Sequence, residues 1–331
     1  MSLGFWEKLK KKKPILVLAP MADVTDVAFR SIIAKYGKPD VMWTEFVSAD
    51  GLMSVGREHL EIDLAYSRKE RPIVAQLFSS NPEKMEGAAK LIAELGFDGL
   101  DINMGCPDKS IMKQGSGGAM IRNPKQAVLV IEAAKRGVEA GKKKGKEAIP
   151  VSVKTRIGYN KNELATWLPS LLSTNVAAIT IHARTVKELS LVPARWEHVA
   201  EAVKMRDELK SETLILGNGD AKDCDHARVL AKESGADGVM LGRAIFGRPW
   251  LFSNSHELEN NSPEVVKRKL AILLEHVKLF DKLLGKKKSF ALMKKHFKAY
   301  VNGFDDAKEL RLKLMEANNA REVGKVLKPY L

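Results

Sequence analysis

Strand-length apolar runs return along this chain at a steady interval, and that rhythm constrains the fold more than any other feature. They fall at Ile15–Met21, Val41–Phe46, Pro72–Phe78, Gly99–Gly105, Pro150–Arg156, Ala178–Arg184, Thr213–Asp220 and Gly238–Arg243. Helical patterns separate most of them, at Pro82–Leu95, Pro124–Ala140, Leu164–Ser173, Trp196–Leu209 and Cys224–Ser234. Alternating β and α units imply a parallel sheet, because parallel neighbours need a crossover between them. Eight units over roughly 250 residues predict an α/β fold, a closed (β/α)8 TIM barrel. A doubly wound sheet is disfavoured: the first turn reads Ala19-Pro20-Met21-Ala22-Asp23-Val24-Thr25-Asp26, with no glycine-rich dinucleotide fingerprint.

The strand rhythm stops after Trp250. Asn254–Pro263 reads as a polar linker, and the rest is helical, at Pro263–Leu284, Ser289–Asn302, Asp305–Glu316 and Ala320–Leu327. Residues 1–253 are therefore expected to form the catalytic barrel and 254–331 a small helical bundle. Of the chain's 331 residues, 55 are Lys or Arg and 41 Asp or Glu, a net charge of +14. The last 69 residues hold 17 basic against 8 acidic side chains, so the excess is concentrated in the tail, which suits a polyanionic partner and equally a solvated lysine-rich helical surface. Two cysteines, Cys106 and Cys224, exclude a disulfide scaffold and an all-cysteine metal site, and no metal is expected. Without a signal-peptide pattern or a long apolar run, the expectation is a cytoplasmic, monomeric protein with no membrane partner.

In a (β/α) barrel the active site forms where the strands end. The residues there are Ala19, Pro20 and Met21; Thr44 and Glu45; Gln76; Asn103 and Cys106; Lys154 and Arg156; His182 and Arg184; Asn218, Gly219 and Asp220; Gly242 and Arg243. Lys154 and Arg156 share a parity, as do His182 and Arg184, so each pair points to one side of its strand. The glycine-containing turns after the seventh and eighth strands lie where barrels commonly hold phosphate. A cationic rim of this kind suits a phosphorylated cofactor with an electron-rich ring, for which flavin mononucleotide (FMN) is the economical choice. Lys154 and His182 would face its polar edge, and Gln76 and Asn218 would orient it. Cys106, between Gly105 and Pro107, is placed for proton transfer. Cys224, inside a helical stretch, reads as a small buried hydrophobe.

At these residues the chain resembles the tRNA-dihydrouridine synthases. The matching segments are Ala19-Pro20-Met21-Ala22 with Thr25-Asp26 and Phe29-Arg30, Thr44-Glu45, Asp101-Ile102-Asn103-Met104-Gly105-Cys106-Pro107, Gly115 to Ala119 with Arg122-Asn123-Pro124, Val153-Lys154-Thr155-Arg156, His182-Ala183-Arg184-Thr185, Gly217-Asn218-Gly219-Asp220 and Gly242-Arg243-Ala244. The resemblance implies reduction of the C5–C6 double bond of a tRNA uridine by FMN that NADPH has reduced, with Cys106 as general acid. It implies cofactor contacts from Ala19, Pro20, Met21, Gln76, Lys154, His182, Asn218, Gly219, Asp220, Gly242 and Arg243. Asn103, Arg156 and Arg184 would meet the uridine or its phosphate. Lys294, Lys295 and Lys298, in a cluster with Lys286–Lys288 and Arg311, would bind tRNA. The barrel alone is expected to hold flavin, with the tail adding RNA affinity. Two places depart from the family pattern: Val186 to Trp196 lacks the usual glutamine, tyrosine and glycine, and Asp23 stands in the first loop where the family usually has a glycine. Two other readings remain, a flavin barrel reducing a small pyrimidine or enone, and a silent RNA-binding relative. The basic tail favours tRNA over a small substrate, and the presence of Cys106 favours an enzyme.

Overall fold

The computed structural model describes residues 3–12, 14–253, 255 and 257–331. Its eight strands are β1 (Ile15–Leu18), β2 (Met42–Ser48), β3 (Ile73–Phe78), β4 (Gly99–Met104), β5 (Val151–Arg156), β6 (Ala178–His182), β7 (Leu214–Asn218) and β8 (Gly238–Leu241). All neighbours are parallel, in the order β1-β8-β7-β6-β5-β4-β3-β2. The remaining seam is closed by a parallel bridge between Val17 and Val41, with Leu18 N donating to Val41 O at 3.1 Å and Asp40 N to Leu16 O at 2.9 Å. The (β/α)8 barrel expected from the periodicity is the observed fold. Several strands are shorter than their apolar runs: β1 ends at Leu18, β7 at Asn218 and β8 at Leu241. Ala19 still donates to Leu241 O at 2.8 Å, and from Pro20, with no N–H to donate, the chain leaves the ladder and turns across the barrel mouth.

The strand alternation sorts the core into two shells. Side chains pointing inward, among them Ile15, Val17, Trp43, Val74, Leu216 and Met240, form one buried cluster. Those pointing outward pack against the surrounding helices in a larger one. The lysine-rich N-terminus contributes more than a solvated segment. A short helix, Trp6–Leu9, carries Trp6, 1% exposed, onto Trp43 of β2 with ring centroids 6.1 Å apart, closing the end of the barrel where the strands begin. Its lysines hid an aromatic plug.

The tail comprises helices Pro263–Leu284, Lys294–Tyr300, Ala307–Glu316 and Ala320–Leu327, with a 3-10 turn at Phe290–Met293 taking the first part of the second expected segment. Asn254 and His256 of the expected linker lie outside the described residues. The tail shares a continuous hydrophobic cluster with Val27, Ala28 and Ile32, which belong to the barrel helix Val27–Tyr36. Phe297 and Tyr300 are buried in that cluster, as core. Among the described residues, no helix is long and apolar enough to cross a membrane.

Candidate active site at the barrel mouth

Register decides which strand-end side chains meet. Asn103 pairs with Lys154, Arg156 with His182, and His182 with Asn218, so one row of polar groups crosses β5, β6 and β7 at the carboxyl ends of the strands. A cavity of about 330 Å³ opens there. Among the residues expected to hold cofactor, Ala19, Pro20, Met21, Lys154, His182, Asn218, Gly219, Asp220, Gly242 and Arg243 line it; Arg156 and Arg184 do so as well. Gln76, Asn103 and Cys106 do not, although Pro107 does. Lys294, Lys295 and Lys298 sit on the tail helix Lys294–Tyr300, away from the cavity lining.

Two turns leave a set of free backbone amides on the cavity wall. The amides of Gly219, Asp220, Gly242, Arg243 and Ala244 donate to no other described residue, so their N–H groups are available to a ligand. Gly219 has φ +126°, a conformation that disfavours side chains, and a Cβ there would lie 2.7 Å from Cβ of Ala194. Gly217, just before it, lies under Trp196: a Cβ would fall 2.1 Å from the indole ring, whose Nε1 donates to Gly219 O at 2.9 Å. Arg243, 63% exposed, is held by Asp220 Oδ1 at 2.9 Å.

Charge beside this turn is tuned by crowding. Burial, with Arg156 close by, draws the Lys154 pKa down to about 8, and its Nζ lies 3.2 Å from Asn218 Oδ1. Burial and the surrounding cations Lys154, Arg156, Arg184 and Arg243 push His182 well below the ordinary imidazole range, so the ring is neutral. Nε2 of His182 lies 3.1 Å from Arg184 Nη1. A guanidinium can only donate, so Nε2 is the acceptor and Nδ1 carries the proton.

Arg156 and Arg184 do something the sequence did not suggest. Arg184, 2% exposed, donates through Nε to Val192 O at 2.6 Å and through Nη2 to Asp220. Arg156 donates through Nε to Gly105 O at 2.8 Å and through Nη1 to Thr185 O at 2.9 Å and Leu189 O at 3.0 Å. Together they tie down the divergent 186–195 stretch, which brings Leu189 and Ser190 to the cavity wall. Nη2 of Arg156 makes no hydrogen bond to a described residue and is the part of this pair left for a ligand.

Gln76 and Asn103 belong to a buried hydrogen-bond chain beneath Cys106. Ser152 Oγ donates to Asp101 Oδ1 at 2.6 Å, and Gln76 Nε2 to Asp101 Oδ2 at 2.6 Å. Asn103 Nδ2 donates to Gln76 Oε1 at 3.0 Å, while Asn103 Oδ1 accepts from Gly105 N at 3.1 Å and Cys106 N at 2.9 Å. Burial pushes the Asp101 carboxyl up to about 6 against the pull of its partners. Asp101 and Ser152 were missing from the expected site. An acidic residue inside an otherwise apolar strand, at the parity of Asn103, was the available signal. Burial also raises the Cys106 thiol above its ordinary value, with Lys154 and Arg156 opposing, so the sulfur carries its proton at neutral pH. Cys224, pushed up to about 11 by burial, donates to Leu251 O and is structural.

Barrel, free amides and tuned cations define the class: a (β/α)8-barrel enzyme with a cationic cavity at the carboxyl ends of its strands. Residues 17–330 match the family model described as Dihydrouridine synthase. The chain is 38% identical over 333 residues to the "Probable tRNA-dihydrouridine synthase 2" of Bacillus subtilis (strain 168), covering all of this chain and 97% of the relative. It is 36% identical to the "Probable tRNA-dihydrouridine synthase" of Staphylococcus aureus (strain COL), covering 100% and 96%. Among solved structures it is similar to morphinone reductase, at 13% identity and a TM-score of 0.49 over 72% of this chain and 84% of that one. The chain belongs to the dihydrouridine synthase family, and is an oxidoreductase.

Proposed function

We propose that the protein reduces the C5–C6 double bond of specific tRNA uridines to dihydrouridine, with FMN in the mouth cavity and NADPH as reductant. The observation that carries this reading is a protonated thiol, on a loop pinned by a buried amide, beside a cavity whose wall carries both free backbone amides and side-chain hydrogen-bond donors. The residues fit FMN. Gly219, Gly242, Arg243 and Ala244 offer N–H groups for its phosphate. Lys154 and the Nδ1–H of His182 offer donors for the ring's electron-rich edge, and Ala19, Pro20 and Met21 offer an apolar wall. When bound, reduced flavin supplies a hydride to C6 of the uracil.

The chain's own groups supply the rest. Hydride addition at C6 places negative charge at C5 and on the C4 carbonyl, and Cys106 holds the proton that C5 must receive. A thiol whose pKa is raised by burial keeps that proton until such a base develops. Asn103 fixes the thiol loop by accepting both the Gly105 and Cys106 amides, so its role is positioning. Arg156 Nη2 is the donor best placed to meet substrate. A base stacked within tRNA must be extruded before reaction, at a cost of about a few kcal/mol. Contacts from the basic tail, residues 254–331, including Lys294 and Lys298, would offset that cost through phosphate binding. The test is incubation of the FMN-loaded protein with unmodified tRNA and NADPH, reading dihydrouridine by nucleoside analysis. Formation of dihydrouridine is expected. A yellow protein that oxidises NADPH yet leaves every uridine intact would overturn the reading.

A further inference from the structure

The loop Ala19 to Asp26 forms one wall of the mouth cavity through Ala19, Pro20 and Met21. Within the barrel it is held by Thr25, whose Oγ1 accepts from Met21 N at 2.9 Å, and by Arg30, whose Nη1 donates to Thr25 O at 2.5 Å. Asp23, at the loop's apex, has φ +55°, the left-handed conformation that costs a non-glycine residue energy and needs support.

That support comes from the far end of the chain. Asp23 N donates to Glu45 Oε1 at 2.5 Å, and Asp23 O accepts from Lys295 Nζ at 2.8 Å. The other oxygen of Glu45 lies 2.9 Å from Lys288 Nζ, which also meets Asp63 Oδ1 at 2.6 Å. The side chains of Lys288 and Glu45 are 13% and 6% exposed. A lysine so enclosed between two carboxylates is not a surface cation awaiting RNA, as the Lys286–Lys288 run suggested. Burial works to discharge Lys288, but Glu45 and Asp63 outweigh it and keep the ammonium charged. Both peptide groups of one strained residue are therefore gripped by the tail, the N–H through Lys288 and Glu45, the carbonyl directly through Lys295. The hydrophobic cluster linking the tail to Val27, Ala28 and Ile32 lies directly beyond this loop in sequence.

We propose that Lys288 and Lys295 are positioning residues for the first barrel loop, so that docking of the C-terminal helices and ordering of the cofactor wall are a single event. The tail is thereby part of what holds FMN, as well as a surface for RNA. This rests on the reading of the mouth cavity as an FMN site. It reverses the expectation that the barrel retains flavin independently of the tail. Linkage also requires the reverse effect: FMN must tighten the docking of the tail by the factor that docking tightens FMN.

The test uses full-length protein stripped of flavin, without RNA, titrated with FMN by quenching of flavin fluorescence. Lys295→Met removes a bond to a backbone carbonyl and strands no buried charge; it should weaken FMN binding about 3- to 10-fold with unchanged circular dichroism. Lys288→Met should weaken it further. Since that variant leaves Glu45 and Asp63 facing each other, Lys288→Met/Glu45→Gln provides a version with less uncompensated charge, and Lys295→Met decides the matter if both misfold. In the parent, adding FMN should slow hydrogen exchange across 286–300, and Lys295→Met should abolish that slowing. FMN affinity equal to the parent's in Lys295→Met, or exchange in 286–300 indifferent to FMN, would overturn the coupling while leaving the cofactor assignment standing. A flat titration of the parent itself would instead remove the cofactor assignment, and the coupling with it.

Discussion

Replacing Asn103 with alanine separates a positioning residue from the thiol it positions. The amide makes three bonds in one place: it accepts from Gly105 N and Cys106 N and donates to Gln76 Oε1. In Asn103→Ala the Gly105 amide and the Gln76 oxygen are left buried without partners, while the half-buried Cys106 amide can turn to water. Each stranded buried group costs ~1–3 kcal/mol, so with two of them the variant should lose about 2–6 kcal/mol of stability. Loosening the thiol loop by an ångström should lower turnover roughly 10²-fold. Cys106→Ala is the control, because Asn103 holds the backbone of residue 106 and those bonds survive the substitution. Urea denaturation of both variants, with single-turnover dihydrouridine formation, distinguishes them: both slow, only Asn103→Ala destabilised. An Asn103→Ala protein with the parent's denaturation midpoint and turnover would refute the account of the hydrogen-bond chain.

Cys106→Ala should retain FMN, since the sulfur lies outside the cavity lining, and lose ~10²- to 10⁴-fold in uridine reduction, the range for a general acid; undiminished turnover would remove Cys106 from the mechanism. Gly217→Ala should displace Trp196, break its bond to Gly219 O, and weaken FMN retention, measured by flavin co-purification. Stability should also depend on two buried histidines where the tail meets the barrel. His276, stacked on Phe29, and His296, tilted against it, have ring centroids 4.7 Å apart; both nitrogens of His276 and Nδ1 of His296 lack hydrogen-bond partners among the described residues, and burial lowers both pKa values, His296 to about 3. Their folded pKa values lie below the unfolded ones, so the unfolded chain binds more protons below pH ~6.5, and stability falls as pH falls through that range. Two such groups approach about 2.7 kcal/mol per pH unit. Urea titrations at pH 7 and pH 5 should show the loss, and it should shrink in His276→Phe/His296→Phe; equal stability at both pH values in the parent would contradict it.

Much of this protein is written in local pattern. The eight apolar runs fixed a parallel barrel because period and spacing leave few other ways to bury them, and a barrel places strand-end residues such as Lys154, His182 and Gly242 at one mouth wherever its helices lie. Partnership is another matter. Arg156 and Arg184 read as substrate contacts, yet most of their donors are spent on the protein itself, two of them on the 186–195 stretch, whose path no short window of sequence reveals. Gln76 and Asn103 read as ligand contacts, yet with Asp101 and Ser152 they form a chain across β3, β4 and β5 that exists only once the register is set. Lys288 looked like one more cation in a basic run until folding put Glu45 and Asp63 against it, across 243 residues in the case of Glu45. The sequence alone determined which residues could reach the mouth, because alternation along a strand is a local property. Only the tertiary structure decided which donors stay free for a ligand and which are spent on neighbours, because a hydrogen bond depends on distances between segments far apart along the chain.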